Sequence, residues 1–109
     1  MSNQIFKKQI PNDLFFALLD EIGKKNDKYY LINYESFKKG LFTNSIPLFI
    51  EKCKLYYHLS KQKYLDKKMS YNSFTTILRQ ICNFNSIKYT SQIKYDKSKY
   101  DIIYVIYIN

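Results

Sequence analysis

The sequence predicts an α+β domain of three or four helices with a small antiparallel sheet and a C-terminal β-hairpin. Three observations carry that expectation. Apolar residues recur at helical spacing from about residue 12 to residue 84. The tail "IKYTSQIKYDKSKYDIIYVIYIN" is rich in Ile, Tyr and Val around one polar break. The composition, 46% hydrophobic and 18% aromatic with 12 Tyr and 8 Phe, supplies a core that disordered chains lack. A length of 109 residues corresponds to one domain, expected over residues 11–109 behind a loosely ordered segment 1–10.

The first helix is expected after Pro11, capped by Asn12 or Asp13, with Phe15, Leu18, Leu19 and Ile22 forming an i, i+3, i+4, i+7 stripe. Gly23 is placed to end it with a left-handed cap. "KYYLIN" is a short strand of β-favouring residues. Asn33 can cap a brief helix, "YESFKKGLF", with Phe37 and Leu41 facing inward. Ser45 and Pro47 start a lysine-rich helix in which Phe49, Cys53, Tyr56, Tyr57, Ser60 and Tyr64 keep roughly helical spacing to about Lys67.

The next helix, about residues 70–84, carries the strongest signal. Ser70 can cap it, and Phe74, Ile77, Leu78, Ile81 and Cys82 repeat on one side. At about 100° per residue, Asn72, Thr76, Arg79 and Asn83 fall on the other side. That outer stripe has no carboxylate, and Arg79 is the chain's only arginine. An ordinary solvated face mixes Glu with Lys. Arg, Asn, Gln and Thr are instead the side chains that pair with base edges in the major groove, arginine with guanine and amides with adenine. Asn72, Thr76, Arg79, Gln80 and Asn83 are therefore the candidate base-reading residues. The hairpin follows as strands at about 87–95 and 100–108; the second, apolar on both faces, is expected to be central in a small sheet or covered by helices. Ser73, Lys88, Lys94, Lys97 and Lys99 are candidate phosphate contacts, which position without specifying sequence.

Charge points the same way. Eighteen Lys plus Arg against 9 Asp plus Glu give a net charge of +9, and the isoelectric point is about 9.5. So large an excess on one small domain favours polyanionic partners, nucleic acid foremost. AT-rich coding explains lysine over arginine but not the shortage of acidic residues. No apolar run has the length of a membrane span, and the N-terminus lacks the apolar segment of a signal peptide, so an intracellular location and no membrane are expected. Cys53 and Cys82 form no disulfide framework, and with His58 as the single histidine no metal-ligand spacing can be drawn. Neither a nucleophile with its base nor a carboxylate pair emerges, so neither an enzyme nor a cofactor is expected.

Helix, strand, helix, helix, polar-faced helix, hairpin is the order of a winged helix-turn-helix, whose last helix enters the major groove. "MSYNSFTTILRQICNFNSIKY" (69–89) resembles the recognition-helix region of ETS domains in Met69, Tyr71, Phe74, Leu78, Arg79, Ile87 and Lys88. It is also similar to the heat-shock-factor DNA-binding domain in the pairs Ser73-Phe74 and Arg79-Gln80, and "YYLINYESFKKGLF" is similar to that family's strand-then-helix entry. Both resemblances imply that Arg79 binds guanine. Thr76 stands where ETS domains place a further arginine, the chain has no tryptophan, and residues 44–69 are an insertion relative to the heat-shock family. The size and composition resemble those of small proteins of large DNA viruses, which would place the chain in a nucleus, a viral factory or a virion. Two functions are expected from this: duplex DNA binding in transcription or genome organisation, or a winged-helix interaction module that never touches DNA. In either, the C-terminal hairpin is where a second copy or a protein partner would dock.

Overall fold

A computed structural model describes residues 5–58, 69–97 and 99–108. Helix α1 (Asn12–Ile22) buries Phe15, Leu18, Leu19 and Ile22, the stripe its spacing predicts. Its N-cap position is held by Pro11 with no side-chain cap. Asn12 does not cap because its Oδ1 accepts instead from the buried Asn85 amide at 2.8 Å. Gly23 closes α1 in an extended conformation (φ −106°), not the left-handed one expected. Close approach explains the glycine here: a Cβ would lie 3.0 Å from the Leu19 carbonyl oxygen and 3.2 Å from that of Leu31.

Strands β1 (Lys24–Lys25) and β2 (Tyr29–Ile32) form a short antiparallel pair, Lys24 opposite Leu31. Tyr30 and Ile32 are buried while Tyr29 and Leu31 point to the opposite face. Helix α2 (Tyr34–Phe42) starts with Asn33 Oδ1 accepting from the Ser36 amide at 2.9 Å, so the predicted cap is present. Asn44, with φ 66°, turns the chain into helix α3 (Ser45–Lys52). Gly40 lets these two helices meet, since a Cβ there would fall 2.7 Å from Ile46 Cδ1 and 2.7 Å from Ile22 Cγ2.

The lysine-rich helix expected to run to about Lys67 ends instead at Lys52. From Cys53 the chain turns and Tyr57 forms an antiparallel bridge with Phe6. The cause is non-local. Ile5 and Phe6 are buried, and their segment obtains backbone partners by Lys7 N donating to Tyr56 O (2.7 Å) and His58 N donating to Ile5 O (2.9 Å). Where the sequence suggested a loose N-terminal segment over 1–10, its described part, 5–10, is packed into the core through Ile5, Phe6 and Ile10. Ser60, Tyr64 and the rest of the expected helix from 59 to 68 lie outside the described residues.

Helix α4 (Tyr71–Phe84) begins with Ser70 Oγ accepting from the Ser73 amide at 3.2 Å and buries Phe74, Thr75, Ile77, Leu78, Ile81 and Cys82. Each large apolar side chain buried in this way contributes roughly 1.5–3 kcal/mol relative to exposure. Phe37 sits at the centre of an aromatic cluster, its ring 5.0 Å from Phe74 and 5.6 Å from Tyr71.

Ser86, at φ 56°, leads into strand β3 (Tyr89–Asp96), which pairs with β4 (Lys99–Tyr107) from Tyr89 opposite Ile106 to Asp96 opposite Lys99. The β4 strand also pairs with β2, giving the order β1-β2-β4-β3 with every pair antiparallel. It lies between β2 and β3, one of the two placements its apolar faces allow. The described residues are therefore α+β: four helices and a small four-stranded antiparallel sheet, with α1 and α2 packed against the strands. Among the described residues, no helix is long and apolar enough to cross a membrane.

Candidate nucleic-acid interface

The outer side of α4 carries the candidate base-reading residues. Asn72, Arg79 and Asn83 are exposed and Thr76 is half-exposed. Among the described residues, the ion pair formed is Lys54 with Glu51, at 2.9 Å, and Arg79 has no carboxylate partner. Its guanidinium keeps its planar fork of donors available to an external acceptor. Thr76 Oγ1 donates back to the Asn72 carbonyl at 3.0 Å, so its hydroxyl proton serves its own helix. Ser73, half-buried, is the residue capped by Ser70.

Gln80 differs from the other four. Its Oε1 accepts from the Ile5 amide at 2.6 Å, so that oxygen is committed to holding the N-terminal segment. Nothing in local spacing signals this contact, which joins residues 75 positions apart. Asn85 is the second polar anchor of the same segment: buried, it donates through Nδ2 to Ile10 O and to Asn12 Oδ1, while its Oδ1 has no partner among the described residues.

On the other border of α4, the Tyr71 hydroxyl donates to Ile102 O at 3.1 Å and ties the helix to β4. The hairpin places Lys94, Lys97 and Lys99 on its exposed outer half. Lys97 adopts the left-handed conformation at the turn (φ 47°), and Lys94 stands opposite Asp101 in register. Lys88 is exposed, with its ammonium 5.3 Å from the Tyr107 ring centroid. Strand alternation puts Lys94 and Lys99 on one face of the hairpin and Ile93, Tyr95 and Tyr100 on the other. The last three are 57%, 79% and 67% exposed, forming an apolar ledge where the hairpin runs past the helices.

Burial pushes the Cys53 and Cys82 thiols up to about 12, which removes the thiolate that reactive or metal-binding cysteines need. Burial, with help from the Asp20 carboxylate that accepts its hydroxyl at 2.5 Å, also pushes Tyr30 up to about 12. His58 is exposed and touches the N-terminal segment through its backbone. Among the described residues, no three His, Cys, Asp or Glu side chains group as metal ligands would.

No protein-family model matches the sequence, and neither a curated protein nor a solved structure matches it.

Proposed function

We propose that this chain is a winged-helix duplex DNA-binding protein, with α4 in the major groove and the β3–β4 hairpin lying against the phosphate backbone. The observation that carries the proposal is the exposed, carboxylate-free stripe of Asn72, Thr76, Arg79 and Asn83 beside a lysine-bearing hairpin. The strand order β2-β4-β3 behind a capped polar-faced helix supports it, because a hairpin that follows the recognition helix and folds back on the first strand is the winged-helix arrangement. A net charge of +9 supplies the sequence-independent attraction to phosphate. Arg79 grips a guanine by two parallel hydrogen bonds, and Asn72 and Asn83 are placed for amide contacts to neighbouring bases. The biological role is regulation of transcription or organisation of a genome, and the chain's composition fits a viral source.

Random-library selection on duplex DNA tests this with wild type and Arg79→Ala. A guanine-containing motif, lost in the variant while salt-sensitive binding survives, is the expected result; each bidentate pair is worth about 1–3 kcal/mol of discrimination. Binding without any motif in either protein would make this a packaging protein. No binding at low salt would sink the proposal.

The apolar ledge of Ile93, Tyr95 and Tyr100 favours a second reading, in which the hairpin docks a protein partner. Light scattering distinguishes the two for self-association: a monomer whose DNA affinity does not rise with concentration excludes a hairpin dimer.

A further inference from the structure

We propose that Lys7 and Lys8 form a second phosphate-binding site, on the flank of α4 away from the hairpin, held there by Gln80 and Asn85. The inference rests on the duplex-binding function proposed above and names a part of the interface that the α4 stripe and hairpin do not supply.

Residues 5–10 form a strap whose two ends are pinned to the same helix region. At one end the Ile5 amide donates to Gln80 Oε1 (2.6 Å), and at the other the Ile10 carbonyl accepts from Asn85 Nδ2. Between those anchors, Lys7 and Lys8 are exposed. Their placement is fixed from a second direction: the Lys7 amide donates to Tyr56 O at 2.7 Å, and the Lys8 ammonium lies 5.2 Å from the Tyr56 ring centroid. The strap is a built element, buried through Ile5, Phe6 and Ile10, that holds two cations outward.

Its position relative to the stripe follows from helix geometry. Viewed down α4 from Arg79, Tyr71 lies about 80° to one side and Gln80 about 100° to the other. Tyr71 marks the border joined to β4 and hence to the hairpin. Gln80 marks the border joined to the strap. The exposed stripe therefore runs between the hairpin, whose helix-side face carries Ile93, Tyr95 and Tyr100 with Lys94 and Lys99 on the face behind, and the strap that carries Lys7 and Lys8. A duplex seated with α4 in its major groove presents phosphates on both sides of the helix, which is the ligand this arrangement fits. Gln80 is then a positioning residue, acting through the strap, and not a base reader.

Binding of a fluorescent duplex across a salt series tests the site with wild type, Lys7→Gln/Lys8→Gln, and Gln80→Leu. Both lysines are exposed, so circular dichroism and melting of the double variant are expected to match wild type. Loss of two phosphate contacts makes the slope of log affinity against log salt shallower by about 1.8 and leaves the selected motif unchanged. Gln80→Leu is expected to shift the slope the same way, also without changing the motif, and to add nothing on top of the lysine pair. Wild-type binding with an unchanged slope and affinity in the lysine variant overturns the site while leaving duplex binding intact. A changed motif with an unchanged slope in Gln80→Leu overturns the positioning role. Absence of wild-type binding removes the proposed function and this site together.

Discussion

The Tyr71 hydroxyl donates to the Ile102 carbonyl oxygen, and this bond, at 3.1 Å, is where the first turn of α4 meets the middle strand of the sheet. The Tyr71 ring is also set edge-on to Tyr34, at 5.1 Å, and to Phe37. Tyr71→Phe keeps the aromatic packing and deletes the hydroxyl, leaving Ile102 O without that donor. The expected cost is about 1 kcal/mol, read as a lower denaturant midpoint with an unchanged slope. An unchanged midpoint would mean that the bond contributes nothing.

Gly40→Ala opposes two effects. Alanine is better than glycine in a helix by about 1 kcal/mol. The new methyl would stand 2.7 Å from atoms of both Ile22 and Ile46, a clash that costs about 1–3 kcal/mol to relieve. Net destabilisation is expected, and Gly40→Ala/Ile46→Val, which removes the Cδ1 in the way, should recover part of it in urea unfolding.

Asn85 offers its amide to two oxygens, Ile10 O and Asn12 Oδ1. Asn85→Ala leaves a buried carbonyl without its donor, at about 1–3 kcal/mol. Asn85→Asp is expected to be worse, since it sets a carboxylate against those same oxygens. Thermal melts of the two variants near neutral pH give the order.

Stability is expected to fall at alkaline pH. Burial raises Tyr71 and Tyr30 from 10.0 to about 12, and Cys53 and Cys82 from 9.0 to about 12. Each raised group favours the folded state below its unfolded value, and that contribution is lost as pH climbs from about 9 to 12. The melting temperature should therefore be level through this source between pH 6 and about 8 and decline above it. A thiol reagent at pH 8 should label both cysteines only after denaturant is added. Fast labelling of the native protein would show that the thiols are not enclosed.

The helices that define the site were legible because their signals are local. The spacing of Phe74, Ile77, Leu78 and Ile81 fixed which side of α4 is buried, and Ser70 and Asn33 cap as their positions predict. The signals that failed were overruled from a distance. Asn12 has the chemistry of a helix cap, but Asn85 claims its oxygen. Cys53, Tyr56 and Tyr57 keep a helical period, yet the buried Ile5–Phe6 segment pairs with residues 56–58 and ends the helix before them. Gln80 has the composition of a groove-facing residue, and only the folded chain brings Ile5 to it. The lysines of the outer hairpin stand out in the sequence; the fixed, exposed position of Lys7 and Lys8 does not, because their segment shows no regular period.

The place of β4 in the sheet bears on how the chain matures. It is made after every other element named here, yet it stands between β2 and β3 and supplies the pairing for both. Until Tyr104–Tyr107 have left the ribosome, β2 has only the two residues of β1 beside it. A nascent chain can form α1 to α4 and set Tyr30 against Phe16, but the edge of β2 that pairs with β4 lacks its partner until the end. The sheet to which Tyr71 ties α4 is thus completed by the last of the strands named here, and a chain interrupted before residue 104 would display the helix without the sheet that orients it.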